Sequence, residues 1–198
     1  MDKANFGKVT FQDFKWLNEP PSWNITKNAV ELTTKLSDFW QKTYYGFQHN
    51  TGHMLGVQIK DDFTIEICVE AEFTTLYDQA GLMIYLDEKH WLKAGIEYND
   101  GQPMIGCVLT NEVSDWSSGV FTGNPTKFWL RLTKVKDVVC VKWSNDNVCW
   151  SLLRLCPFPQ SQSCLVGPMA CSPQRDGLRV RFSGLSVASP PEDILHSN

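Results

Sequence analysis

Residues 63–73 alternate strictly. Phe63, Ile65, Ile67, Val69, Ala71 and Phe73 are separated by Thr64, Glu66, Cys68, Glu70 and Glu72. A period of two puts each set on its own side of a pleated strand, one side buried and the other wet. The rhythm returns in residues 91–98 (WLKAGIEY) and 177–187 (GLRVRFSGLSV), while residues 79–86 (QAGLMIYL) form a more apolar run that suits a central strand. Further strands are predicted over residues 104–110, 128–134, 138–143, 148–155 and 163–169. Turn chemistry separates them: Asp87-Glu88-Lys89-His90, Asn99-Asp100-Gly101, Lys136-Asp137 and Asn145-Asp146-Asn147, with Pro157 and Pro159 breaking the chain later.

Short, evenly spaced strands with little helical periodicity predict an all-β fold, a two-sheet antiparallel sandwich of the jelly-roll kind. Residues 111–125, which carry SDWSSG, read as a polar loop, and a helical turn is expected only over residues 37–41. No repeat or linker divides the chain. A single domain is therefore expected over residues 1–198, with residues 1–25 and 189–198 as peripheral segments.

Composition narrows the function classes. The chain has 198 residues, 42% of them hydrophobic, enough for one substantial core. The net charge is −4 with acids and bases interspersed, so the basic footprint of nucleic-acid binding is missing. No continuous apolar stretch opens the sequence and none is long enough to span a bilayer, so neither a signal peptide nor a membrane anchor is expected. The seven cysteines are odd in number, lack any CxxC spacing and fall partly within apolar runs such as ICVEA and GCVLT. Reduced, buried thiols are expected rather than a disulfide framework or zinc site. His49 and His53 lie in a loop without carboxylate or cysteine companions, so no metal is expected. No phosphate loop or nucleophile elbow appears, and no cofactor is expected.

Eight tryptophans and eleven phenylalanines supply both core material and stacking surfaces. Alternation sets Trp91, Lys93 and Glu97 opposite Leu92, Ala94 and Ile96, and sets Trp129 and Arg131 opposite Phe128, Leu130 and Leu132. Aromatic rings beside charged groups suit a sugar-binding groove, where rings stack on C–H faces and charged groups hydrogen-bond hydroxyls. Asp115 and Trp116 are candidates for its rim, and Trp40 beside Asp38 is another. The same residues equally suit cross-strand ion pairs on a solvated face, or rings covered by the N-terminal segment. Glu66, Glu70 and Glu72 share a strand face as glycosidase carboxylates can, without the spacing typical of that chemistry. No catalytic residue is assigned.

Several segments together carry a more specific signal. They are Trp16-Leu17-Asn18-Glu19-Pro20-Pro21-Ser22-Trp23, Asp38-Phe39-Trp40, Tyr45-Gly46-Phe47, Asn50-Thr51-Gly52-His53, Gln79-Ala80-Gly81-Leu82-Met83, Trp91-Leu92-Lys93-Ala94-Gly95-Ile96-Glu97, Ser114-Asp115-Trp116-Ser117 and Trp129-Leu130-Arg131. In this order they resemble a family of concanavalin A-like jelly-roll proteins whose fungal representatives include a regulator of enolase. The resemblance implies a cytoplasmic, non-catalytic role in carbohydrate and energy metabolism. The implied partner is enolase or another glycolytic enzyme, or a saccharide or sugar-like metabolite. It supplies no catalytic motif.

Overall fold

A computed structural model describes residue 6 and residues 8–197. Among them a single 3-10 turn, Phe11–Asp13, precedes sixteen strands. In chain order these are β1 (Lys15–Leu17), β2 (Ser22–Ile25), β3 (Ala29–Thr33), β4 (Phe39–Gln41), β5 (Gln48–Asn50), β6 (His53–Ile59), β7 (Phe63–Ala71) and β8 (Gln79–Asp87). They continue with β9 (His90–Asn99), β10 (Gln102–Asn111), β11 (Val113–Val120), β12 (Lys127–Val135), β13 (Val138–Ser144), β14 (Ser151–Pro157), β15 (Cys164–Cys171) and β16 (Arg179–Ala188). The first sheet runs β1-β6-β15-β8-β9-β10-β11 and the second β14-β13-β12-β7-β16-β3-β2; β4 and β5 form a separate ribbon. All pairings are antiparallel, and the fold is a concanavalin A-like jelly-roll sandwich. No helix among the described residues is long and apolar enough to cross a membrane.

The inward sets read from alternation meet between the sheets. Leu82, Ile84, Leu92, Ala94 and Ile96 from the first sheet pack against Ile65, Ile67, Val69, Leu130 and Leu132 from the second. Hairpin geometry follows turn chemistry as well. Asp100 and Gly101, both at positive φ (51° and 80°), form the two-residue reversal between β9 and β10, the conformation a right-twisted hairpin requires.

Two expectations are overturned. Residues 111–125 are not a loop throughout: Glu112 turns the chain at φ 66°, β11 pairs along β10 from Val113 to Val120, and only residues 121–125 stay irregular. As an edge strand exposed along most of its length, β11 needs almost no apolar residues, so its sequence shows no alternation. Residues 37–41 are extended, with Phe39–Gln41 forming β4 and no helical turn. In the peripheral segment 1–25, residues 1–5 and 7 lie outside the described residues; β1 forms the edge of the first sheet beside β6, and β2 the edge of the second beside β3.

A second, smaller core lies outside the sandwich. Met54, Met83, Trp91, Val108, Met169 and Cys171 project from the outer face of the first sheet and are sealed by Phe39 and Trp40. The segment 38–52 therefore acts as a flap across that face. The chain anchors it at several points. The Asp38 carbonyl accepts from the Thr51 and Gly52 amides (2.9 Å each), and the Gln41 amide donates to Ser114 Oγ (2.9 Å). Gln41 Nε2 donates to the Glu88 carbonyl (2.8 Å), and Asn18 Nδ2 donates to the Asn50 carbonyl (2.8 Å).

Candidate functional site

Between the flap and β8–β11 lies a pocket of about 290 Å³. Its floor is the outer face of the first sheet, where Gln79 of β8 stands beside Glu97 of β9. Beyond the lining residues the same pair of strands loses its side chains: Gly81 and Gly95 pair across them. A Cβ on either would run into the carbonyl of the other strand, Ala94 for Gly81 and Ala80 for Gly95. Only glycine fits this close approach. Trp116 of β11 forms one wall, and Trp40, Tyr45, Phe47 and His49 of the flap form the opposite one. The rings make a chain of contacts. Trp40 meets Trp116 at 6.4 Å and Tyr45 at 5.9 Å between centroids, Tyr45 stacks on Phe47 at 5.1 Å, and Phe47 meets His49 at 4.8 Å. Tyr45 and Phe47 remain exposed at the mouth.

The flap's tip is conformationally costly. Lys42 and Tyr44 sit at φ 60° and 62°, each at the centre of a three-residue turn closed by an amide-to-carbonyl bond of 2.7 Å (Thr43 to Gln41, Tyr45 to Thr43). Such γ-turns at positive φ are strained for bulky residues. Trp40 Nε1 donates to the Thr43 carbonyl and helps to hold them.

The charges lie at the pocket's base. Lys93 is 3% exposed; its ammonium donates to Asp38 Oδ1 (3.1 Å) and to the Phe39 carbonyl (2.8 Å). Burial works against that charge, but Asp38, Cys171 and Glu97 outweigh it and keep Lys93 above its ordinary pKa. Glu97 has neither a hydrogen bond nor an ion pair within 4 Å among the described residues. Burial lifts its pKa to about 7; Lys93 pulls it down and Asp38 pushes it up. The carboxyl is thus poised to change charge near neutrality. Tyr77, on the rim, shares a hydrogen bond with Tyr45 (3.2 Å), which together with burial raises it to about 12, a neutral hydroxyl.

Of the sequence candidates, Trp40, Lys93, Glu97 and Trp116 line this pocket. Trp91 shares their strand face but is fully buried beneath the flap, packing on Phe39 (5.9 Å) and donating from Nε1 to the Glu88 carbonyl. Its cover is the flap and not the N-terminal segment. Asp115 points the other way along β11 and accepts from Arg154 of β14 (2.6 Å), tying the two sheets together at their edges. Trp129 and Arg131 belong to β12, in the opposite sheet, so the structure does not bring them to the pocket. Alternation reports which side of its own sheet a residue occupies; a sandwich has two outer sides, and no local pattern tells them apart. There Arg131 donates to Glu66 (2.6 Å) and lies 4.0 Å over the Trp150 ring. Glu70 pairs with Arg181 (2.7 Å). The acidic row on β7 is therefore largely engaged in cross-strand pairs.

Other residues of the site were not among the sequence candidates: Tyr45 and Phe47 reach the pocket on the flap, Gln79 through the register of β8, and Tyr77 from the connection that precedes β8. Buried Asp78, which accepts from the Thr74 and Thr75 amides and pairs bidentately with Arg175, braces the rim. His53 is structural: Lys35 N–H donates to its Nε2 (3.0 Å), so its Nδ1–H donates to the Asn18 carbonyl (2.7 Å). No cluster of three metal-ligating side chains occurs among the described residues. All seven cysteines are free; six are buried and Cys149 is exposed.

The family model described as "Protein of unknown function (DUF1349)" matches residues 16–190. "Regulation of enolase protein 1" of Saccharomyces cerevisiae is 48% identical over 182 residues, covering 91% of this chain and 92% of its own. A crystal structure of a functionally unknown protein from Saccharomyces cerevisiae superposes with TM-score 0.91 at 47% identity, covering 92% of this chain and 100% of that one. A GH43 protein of Bacillus licheniformis superposes with TM-score 0.69 at 12% identity, covering 92% of this chain and 38% of that one. At that identity the likeness shows the fold alone.

Proposed function

From the premise that the chain belongs to the DUF1349 family, we propose that it is a non-catalytic regulator acting by binding, with a sugar-like polyol held in the flap-covered pocket. The observation that carries this reading is the pairing of an aromatic wall with a floor that keeps hydrogen-bonding capacity in hand. Among the described residues Glu97 has no hydrogen-bond partner, while Gln79 spends only Nε2, on the Tyr77 carbonyl, and Tyr77 shares its hydroxyl with Tyr45. Rings of Trp40, Trp116 and Tyr45 offer stacking surfaces; Glu97, Gln79 and Tyr77 offer acceptors and donors at the depth where hydroxyls would sit. The regulatory half follows from the yeast relative, whose name makes enolase the protein partner to test. Calorimetric titration with a panel of mono- and oligosaccharides, alongside enolase pull-down and activity with and without the chain, tests both halves. Saccharide affinity that falls at least tenfold in Trp116→Ala supports the pocket. Absence of any saccharide affinity removes the ligand half, and absence of any effect on enolase removes the partner half.

A second reading is favoured by one observation: Glu97, raised to about 7, shares the pocket with Asp38. Two carboxylates with different environments are what a glycosidase acid and its partner require. Here, however, Asp38 is engaged by Lys93. Oligosaccharide turnover that disappears in Glu97→Gln while binding persists would establish the enzyme and displace the regulator.

A further inference from the structure

We infer that the pocket takes an unphosphorylated saccharide and rejects the phosphorylated form, with Glu97 as the residue that sets this choice by accepting a ligand hydroxyl. The inference rests on the binding reading above and concerns the class of ligand that the same pocket admits.

Phosphate sites are built from arginine forks, lysines with free donors, or backbone amides at helix N-termini. Among the described lining residues, Lys93 alone carries a permanent positive charge, and two of its three N–H donors already serve Asp38 and Phe39. Arg175, just beyond the lining residue Gln174, has its guanidinium committed to Asp78 through Nε and Nη2. The pocket offers no helix terminus, since its walls are strands and the flap.

Negative charge, in contrast, is in surplus. Asp38 pairs with Lys93, so the base of the pocket sets two carboxylates against one ammonium, and among the described residues Glu97 has no ion pair of its own. A phosphoryl group would enter with between one and two negative charges and face two carboxylates across a partly dehydrated space. A neutral polyol would meet the opposite situation. Glu97 accepts hydroxyl protons when ionised, Tyr77 and Gln79 accept or donate, and the rings take the apolar ring face.

The experiment is calorimetric titration of the full chain at pH 8 and physiological ionic strength with glucose, mannose and cellobiose, set against glucose 1-phosphate and glucose 6-phosphate. The expected result is at least tenfold tighter binding of the neutral sugars. Glu97→Gln should weaken the neutral sugars several-fold while leaving the phosphates unchanged or slightly improved. Glu97→Lys, checked for folding by its denaturation midpoint, should narrow or reverse the preference. Phosphorylated sugars binding as tightly as neutral ones would overturn the inference and leave the binding reading standing. A preference for neutral sugars that is unmoved in Glu97→Gln would remove Glu97 as its source. If no sugar of either form binds, the binding reading itself falls and takes the inference with it.

Discussion

On the outer face of the second sheet, Trp129, Arg131 and Glu66 repeat the composition of Trp91, Lys93 and Glu97 on the outer face of the first. The outcomes differ. Arg131 pairs with Glu66 directly across the strands at 2.6 Å and stacks on Trp150, while Arg181 bridges Glu31 and Glu70. The C-terminal segment lies over β13, where Lys142 Nζ donates to the Ser197 carbonyl and Cys140 contacts the Ile194 carbonyl. Every charge in the trio finds its opposite on a neighbouring strand. On the first sheet, Lys93 turns outward to the flap and not to Glu97, so its carboxylate partner is Asp38, fifty-five residues away in sequence. Among the described residues Glu97 is left unpaired beside the cavity that the flap encloses. Local pairing produces a closed surface; long-range pairing produces a pocket with one group left over.

The tryptophans give the largest expected contrast. Trp91 has no exposed surface and anchors the outer core, so Trp91→Ala should lower unfolding free energy by about 3–5 kcal/mol and loosen the flap. Trp129 is only half-buried and should cost about 1–2 kcal/mol when truncated. Urea denaturation of both variants measures the difference. Equal losses would mean that the two faces are equally covered, and would undo the comparison. Chymotrypsin cleavage at the flap, accelerated in Trp91→Ala but not in Trp129→Ala, would locate the damage.

The cations come next. Lys93→Met leaves Asp38, partly buried at the start of the flap, without its partner and frees the Phe39 carbonyl, at an expected cost of about 3 kcal/mol, because removing one member of a largely buried pair strands the other. Arg131→Met removes a pair nearer to solvent, and about 1 kcal/mol is expected. Raising the salt concentration should shrink the Arg131 effect more than the Lys93 effect, since water and ions reach the former. A smaller loss for Lys93→Met than for Arg131→Met would show that the flap ion pair holds nothing in place.

How much of this was legible in the chain depends on the distance over which each feature is determined. β7 and β9 alternate without interruption, and their faces were readable residue by residue because the pleat alone fixes them. β11 was unreadable: its residues are polar on both sides, with only Ser114 buried and Trp116 half-buried, and its pairing is dictated by β10. The flap was unreadable for a stronger reason. Residues 41–50 (QKTYYGFQHN) have no period, and their position is set by Ser114, Glu88, Asn18 and Lys93. Trp40 and Trp116 were identifiable as site candidates by residue type, but not Tyr45, Phe47 or Tyr77, whose roles exist only once the flap has crossed the sheet. Trp129 and Arg131 were misplaced because residue type and face do not specify a sheet, and Asp115 because β11 shows no alternation from which its face could be read.

The smallest effects are expected from the carboxylates, and they should have opposite signs. Glu66→Gln weakens the Arg131 pair and should destabilise by about 1 kcal/mol at neutral pH. Glu97→Gln should do the reverse. In the unfolded chain Glu97 releases its proton near its ordinary value of 4.5, whereas in the folded chain it holds the proton to about pH 7. Between those values the native state binds the proton and the unfolded state does not, so stability falls as pH rises through that window and stays at its lower level above it. An amide cannot ionise, so the variant should lose this decline. It should match the wild type near pH 4.5 and exceed it at pH 8 by about 1–2 kcal/mol, water in the open pocket screening part of the cost of the charge. Denaturation midpoints across pH 4.5–8.5 for wild type, Glu66→Gln and Glu97→Gln decide the matter. Parallel curves for the wild type and Glu97→Gln would mean that the carboxyl is already compensated, and the pocket face would then differ from the other in shape but not in charge.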